Sequence, residues 1–297
     1  MKKINLYGTY TAFITPFKND LSVDFEAIKY LIDKQIEAKV EGLVILGTTG
    51  EAQTLTMKEK VAVMLKIQEQ VNGKIPIIVG TGSNDTRATI EFTMLAAEHN
   101  FEGVLLVAPY YNKPTQEGLY NHYLSISESA DIPMIVYNVP SRTSINILPE
   151  TIQKIAENCK NVVGVKESSG NVEQIMKVIR FTPSNFITMC GDDALAVPTI
   201  FMGAKGVVSV LSNYAPKMFG DCVRRALENN IIEANKLHYE LFDLMQINFI
   251  ETSPVPAKTI MKELGLLQNS LVRMPLVPIA KNNLNLIKEI LVNRKIC

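Results

Sequence analysis

The sequence predicts an α/β protein: a (β/α)8 TIM barrel over residues 1–225, followed by a C-terminal helical domain over residues 226–297. Three observations predict it. Eight short apolar runs recur at intervals of about 20 to 33 residues, which is the spacing of βα units. The segments between them carry helical periodicity. Beyond about residue 225 the apolar runs stop and only helical patterns remain. The 297 residues, 47% of them hydrophobic, are enough to bury one large core.

The first run, 10–15, is closed by Pro16, and Ile28, Leu31, Ile32 and Ile36 behind it follow one helical face. The second, 43–46, leads to Thr56 and Glu59. These form a T-x-x-E capping box before a helix carrying Val61, Met64 and Leu65. The third, 76–79, is followed by GTGSND at 80–85. A doubly wound open sheet would place a dinucleotide fingerprint after its first strand. Here the third glycine is missing, and Asp85 would repel a pyrophosphate. The fourth and fifth runs are 103–108 and 133–137. The sixth, 162–166, precedes a helical stripe of Val172, Ile175, Met176 and Ile179. The seventh and eighth are 186–190 and 206–210. Helices over 231–247, 256–264 and 283–293 follow, broken at Ser253-Pro254 and at Pro275.

Composition removes several functions. Lys+Arg and Asp+Glu are both 30, so the net charge is zero and no electrostatic footprint for nucleic acid or an anionic membrane exists. No apolar run approaches the roughly 20 residues of a membrane span. The N-terminus has no apolar stretch of signal-peptide length, so a cytoplasmic location is expected. Cys159, Cys190, Cys222 and Cys297 form no CxxC pair and read as reduced thiols. His99, His122 and His238 lie far apart without metal-ligand spacing, so neither a metal nor another cofactor is expected.

A barrel gathers its working residues at the C-terminal ends of its strands. The second run ends in Gly47-Thr48-Thr49-Gly50-Glu51, the fourth in Pro109-Tyr110-Tyr111-Asn112 and the fifth in Tyr137-Asn138-Val139-Pro140-Ser141-Arg142. The sixth ends in Lys166, the seventh in Gly191-Asp192-Asp193, and the eighth contains Val208-Ser209. A lysine closing an apolar strand at such a mouth is the pattern of a Schiff-base nucleophile. An ordinary lysine is only about one part in a thousand free amine near pH 7.4, and desolvation raises that fraction. The plainer alternative is a solvated lysine at a strand end. Tyr137 is the natural proton carrier beside it, with Thr48 and Tyr111 as a hydroxyl relay. Each tyrosine taken alone is equally a rim residue. The amides of the Gly-Thr-Thr-Gly turn and the Thr49 hydroxyl suit a small carboxylate, although the turn alone is also an ordinary strand-to-helix connection. Arg142 is one of only seven arginines against 23 lysines, which by count comes from the 30 basic residues. Its fork suits bidentate carboxylate capture, and the alternative is a surface charge. Asp192 and Asp193 lack a third ligand and read as helix caps.

These residues resemble a known family. GTTGEAQTL, PYYNKPTQEGLY, YNVPSRT, GVKESSGN, GDDA and GVVSV stand in the order and spacing of the dihydrodipicolinate synthases, and the similarity extends to the SPVPAK segment, 253–258. The resemblance implies a (β/α)8 barrel with a C-terminal helical domain, usually assembled as a homotetramer, a dimer of dimers. It implies condensation of pyruvate with aspartate-4-semialdehyde, the first committed step of diaminopimelate and lysine biosynthesis. By that resemblance Lys166 forms the pyruvate Schiff base and Tyr137 carries the proton. Thr48 and Tyr111 are its relay partners, with Tyr111 reaching in from a neighbouring subunit. Thr49 and Val208 contact pyruvate, Gly191 belongs with the substrate-binding positions, and Arg142 binds the semialdehyde carboxylate.

Related pyruvate-dependent aldolases, such as N-acetylneuraminate lyase, share the lysine and tyrosine. They generally lack Ser-Arg-Thr after YNVP, so Arg142 with Tyr111 discriminates against them. A small acidic aldehyde wants a cation, whereas a sugar wants hydrogen-bonding side chains. A non-catalytic barrel that binds a keto acid is the third reading. The resemblance is incomplete at one place. Some family members are inhibited by lysine through two histidines and a glutamate, and the matching positions here are Met57, Lys60 and Ala88, although Asn84 and Tyr110 are retained. Inhibition by lysine is therefore expected to be weak or absent.

Overall fold

A computed structural model of the chain describes residues 4–293. Cys297 lies outside the described residues. The strands are β1 Gly8–Ala12, β2 Gly42–Ile45, β3 Ile77–Gly80, β4 Gly103–Val107, β5 Met134–Asn138, β6 Val162–Glu167, β7 Ile187–Cys190 and β8 Gly206–Ser209. Each pairs in parallel with the next, and β8 returns to β1 through Gly8↔Gly206 to Thr11↔Ser209, so the sheet closes into a barrel. The helices around and beyond it are α1 Phe25–Glu37, α2 Met57–Val71, α3 Thr86–Glu98, α4 Gln116–Ser129, the short α5 Pro140–Thr143, α6 Pro149–Asn158, α7 Val172–Phe181, α8 Ala196–Phe201 and α9 Pro216–Leu227. After them come α10 Ile231–Ile247, α11 Val255–Glu263 and α12 Lys281–Asn293.

The alternation of strand side chains builds two cores. Leu43 and Ile45, Ile77 and Val79, and Met134 and Val136 point outward, against the helices. Val44, Ile78, Leu105, Ile135, Tyr137, Met189 and Val208 point inward and fill the barrel. Strands covered on both faces read as continuous apolar runs, which is why the sequence shows them so plainly.

One strand breaks the alternation. Met134 pairs with Val162 but Ile135 pairs with Gly164, so Val163 is an extra residue in β6. Val162 and Val165 both belong to the outer core, while Val163 packs on the inner one. The bulge shifts the phase of everything after it by one residue, which turns Lys166 inward. Gly164 permits this. A Cβ there would collide with the Ile187 carbonyl oxygen of β7.

Differences from the sequence reading are small and have causes. The first apolar run was expected over 10–15, but β1 covers Gly8–Ala12. Phe13 and Ile14 remain buried after pairing ends, because the Ile14 amide turns to Asn213 Oδ1 at 3.1 Å. Apolar runs mark burial rather than ladder pairing. Pro76 and Pro133 fall just outside their strands, where each still accepts a bond through its carbonyl. The capping box forms as expected, Glu59 N to Thr56 Oγ1 at 3.2 Å and Thr56 N to Glu59 Oε2 at 2.8 Å. The helix over 231–247 falls as expected, and α11 and α12 lie within two residues of their expected bounds.

The bulge generates a first prediction. Gly164→Ala should destabilise the chain by about 1–3 kcal/mol, because the methyl group is driven against backbone that cannot yield. A fall in the urea midpoint measures it, and an unchanged midpoint would show that β6 and β7 can separate at no cost.

Candidate active site

The site is built on the register of β5 and β6. Tyr137 lies beside Lys166, and Asn138 beside Glu167. Tyr137 and Lys166 face inward, and the Lys166 ammonium sits 4.1 Å from the centroid of the Tyr137 ring. Lys166 is 7% exposed. Its neighbours Asn138 and Glu167 face the opposite way and lock the two strands from behind. Asn138 Nδ2 donates to both Glu167 carboxylate oxygens at 3.2 and 3.0 Å, and the Ser169 amide donates at 2.8 Å. Burial pushes the Glu167 carboxyl up, while these hydrogen bonds act against that shift.

Lys166 opens into a cavity of about 530 Å³ whose walls include Thr48, Thr49, Tyr137, Arg142 and Gly191. Gly191 ends β7 at a point where a Cβ would strike Ser168 Oγ and come within 2.8 Å of Lys166 Cε. Only glycine leaves the lysine its place. Thr48 and Thr49 lie in a tight turn after β2, closed by Gly50 N to Gly47 O at 3.1 Å and Glu51 N to Thr48 O at 3.0 Å. Arg142 is carried by α5 at the rim, exposed, and among the described residues its guanidinium has no carboxylate partner. The arrangement joins an amine, a phenol, hydroxyls and a rim cation around one space. That set can add to a carbonyl, move a proton and hold a carboxylate.

The chain matches the sequence profile of the dihydrodipicolinate synthetase family over residues 5–294. The chain belongs to the dihydrodipicolinate synthetase family. A 4-hydroxy-tetrahydrodipicolinate synthase of Thermotoga neapolitana is 44% identical over 287 residues, covering 96% of this chain and 97% of that one. The crystal structure of dihydrodipicolinate synthase from Thermotoga maritima superposes with a TM-score of 0.95 at 39% identity, covering 98% and 99% of the two chains. A chloride-inhibited dihydrodipicolinate synthase from Acinetobacter baumannii, solved with pyruvate, gives 0.96 at 37% identity over 99% and 100% of the chains.

Two of the family positions expected at the site fall outside the cavity. Val208 is buried in the inner core beneath it, and Val210, two residues on, supplies the wall instead. Tyr111 is 88% exposed with φ +74° and is not part of the cavity wall. Asp192 caps the following turn through Ala194 N at 2.9 Å, as expected of a capping residue. Asp193 does something else: its Oδ2 accepts from Val210 N at 3.1 Å and Leu211 N at 2.8 Å, fixing the end of β8. A second cavity of about 230 Å³ shares Thr48 and Tyr137 with the first and is bounded by Met57, Lys60, Ala88 and Tyr110, with no Asp or Glu in its wall. Burial lowers the Lys60 ammonium from its ordinary value.

Sequence reasoning missed Ser168 and the segment 249–253, both of which wall the main cavity. Ser168 follows Lys166 by two residues, and strand alternation alone would have placed it on the same face. Phe249, Glu251 and Thr252 come from the turn between α10 and α11, which no barrel rule reaches.

Burial raises the Asp193 carboxyl to about 6. In the unfolded chain it titrates near 3.9, so between roughly pH 4 and 6 the folded state holds a proton that the unfolded state has lost. Its contribution to stability is therefore greatest below about pH 4 and declines as pH rises to 6. Asp193→Asn should remove that decline. Urea midpoints of both proteins from pH 4 to 7 would show the variant gaining on the parent across this window, and parallel curves would refute it.

Proposed function

We propose that the chain is a 4-hydroxy-tetrahydrodipicolinate synthase, a lyase of class I aldolase type that condenses pyruvate with aspartate-4-semialdehyde. The carrying observation is the Lys166 amine, held 4.1 Å over the Tyr137 ring and open to a cavity rimmed by Arg142. Lys166 Nζ attacks the keto carbon of pyruvate, and the Thr48–Thr49 turn holds the pyruvate carboxylate. Tyr137 passes a proton to the carbinolamine oxygen, which leaves as water and gives the iminium. A proton lost from the methyl carbon gives the enamine. That carbon attacks the aldehyde carbon of the second substrate, whose carboxylate is bound by Arg142. The amino group of the semialdehyde then closes on the imine carbon and expels Lys166, so one water is released overall.

Thr48 and Tyr111 complete the relay. Tyr111 is 88% exposed and absent from the wall of its own cavity, so we assign it to the site of a neighbouring copy. This requires at least a dimer, and a dimer of dimers agrees with the family. Residues 1–225 form the catalytic barrel and 226–297 the helical domain in this reading. No helix among the described residues is long and apolar enough to cross a membrane, and a biosynthetic role fits the cytoplasm.

Borohydride reduction in the presence of pyruvate tests the assignment. A mass increase confined to Lys166 and absent from Lys166→Ala is expected, while an unmodified chain would leave only a keto-acid-binding barrel. Arg142→Ala should retain trapping but lose roughly 10–10²-fold in kcat/KM for aspartate semialdehyde. A comparable loss with other aldehydes would point to a related aldolase.

The second cavity bears on regulation. A lysine ligand would bring an ammonium toward Lys60 with no carboxylate in the wall to receive it. Millimolar lysine should leave initial rates nearly unchanged, and potent inhibition would overturn this reading of the cavity.

A further inference from the structure

The turn that carries Thr48 and Thr49 ends in an unusual residue. Glu51 has φ +51°, a left-handed conformation that a non-glycine residue adopts at some cost. Its side chain is 1% exposed, as is that of Lys258 in α11. Lys258 Nζ donates to Glu51 Oε1 at 2.5 Å and to Leu271 O at 2.9 Å, and its charge lies 4.1 Å from the Phe17 ring centroid. The other oxygen, Glu51 Oε2, accepts from Arg273 N at 3.0 Å. The carboxylate is thus gripped from two points of the C-terminal segment.

The residue before Glu51 is held as well: Thr15 Oγ1 donates to Gly50 O at 2.7 Å. Gly50 and Glu51 are also the residues whose amides close the turn onto Gly47 O and Thr48 O, so these anchors fix the end of the turn that carries Thr48 and Thr49. The residue before Lys258, Ala257, packs in the inner core with Tyr137, Val139 and Val208. The helix that supplies the lysine is therefore seated on the floor of the site. Neither Glu51 nor Lys258 walls the cavity, so neither touches substrate.

We propose that Glu51 and Lys258 are a positioning pair: their buried contact fixes the Thr48–Thr49 turn in the geometry that receives the keto-acid carboxylate. The proposal rests on the assignment of that turn to pyruvate made above. A displacement of about 1 Å in such a turn can lower efficiency by on the order of 10²-fold. Removing one partner would strand a buried charge, whereas replacing both by neutral groups of similar length is often tolerated.

The test is the double variant Glu51→Gln/Lys258→Met in the full-length protein, compared with the parent. Thermal unfolding establishes that the variant is folded, and borohydride trapping at saturating pyruvate counts competent sites. The expected result is a KM for pyruvate raised tenfold or more, with the count of trappable Lys166 preserved. A role in stability alone would lower the thermal midpoint and leave KM unchanged, which would overturn the proposal. Should the double variant fail to fold, Lys258→Arg carries the same test, since it keeps the charge but moves its position. A raised KM supports the pair, and an unchanged KM refutes it. If the parent itself is not trapped by pyruvate, the function assignment and the pair fall together. If the parent is trapped and KM does not move, only the pair falls.

Discussion

The site depends on one pairing, Tyr137 against Lys166, and that pairing depends on one extra residue in β6. Strand side chains alternate with a period of two, so a register slip of one residue moves every following side chain to the other face. Without the bulge at Val163, the outward position of Val162 would place Lys166 outward too, among the helices. The bulge resets the phase. Gly164 makes room for it against Ile187 of β7, and Gly191 at the end of β7 makes room for the lysine itself. Two glycines, one within β6 and one just after β7, thus serve one side chain.

The polar residues around this pairing divide by face. On the inner face, Lys166 and Tyr137 meet the cavity. On the outer face, Asn138, Glu167 and Gln174 hydrogen-bond one another, and Asn146 joins them through Asn138 Nδ2 at 2.9 Å and Gln174 Oε1 at 2.7 Å. The same network reaches Ile147 N through Asn138 Oδ1 at 3.0 Å. It therefore secures the far end of the segment whose near end is α5 with Arg142. Hydrogen bonding makes the burial of Glu167 tolerable, since among the described residues no cation pairs with it. The outer network sets where the inner residues stand without entering the chemistry.

Much of this was legible in the sequence, and the reasons are physical. Strands buried on both faces leave long apolar traces, so all eight were found to within three residues at either end. A barrel fixes which end of each strand can work, so the sequence points to Lys166, Tyr137, Thr48, Thr49, Arg142 and Gly191 together, and the structure brings these six to one cavity. The bulge was invisible in the run Val-Val-Gly-Val-Lys, where only the glycine hints at it. The role of Val208 as a pyruvate contact and the reach of Tyr111 into a neighbouring subunit come from family likeness rather than from strand-end geometry. Within one chain Val208 is buried in the inner core and Tyr111 is exposed, and neither walls the cavity. The contribution of 249–253 was hidden because a turn between two helices of the C-terminal segment obeys no barrel rule.

Two lysines are buried near the mouth, and their surroundings decide which can act as a nucleophile. Lys258 is lowered by burial to about 8, less far than burial alone would take it because Glu51 favours the charged form. Its donors are directed at Glu51 and at Leu271 O, and it walls no cavity, so an electrophile cannot reach its nitrogen. Lys166 has no ion pair among the described residues. The face of Tyr137 lies 4.1 Å from its nitrogen, and Lys166 walls the cavity that Arg142 rims. A π-face supports an ammonium without occupying its lone pair once the proton has gone, whereas a carboxylate at 2.5 Å holds the proton in place. Low exposure alone would favour Lys258. Access and the absence of a counter-ion support Lys166 as the proposed Schiff-base amine.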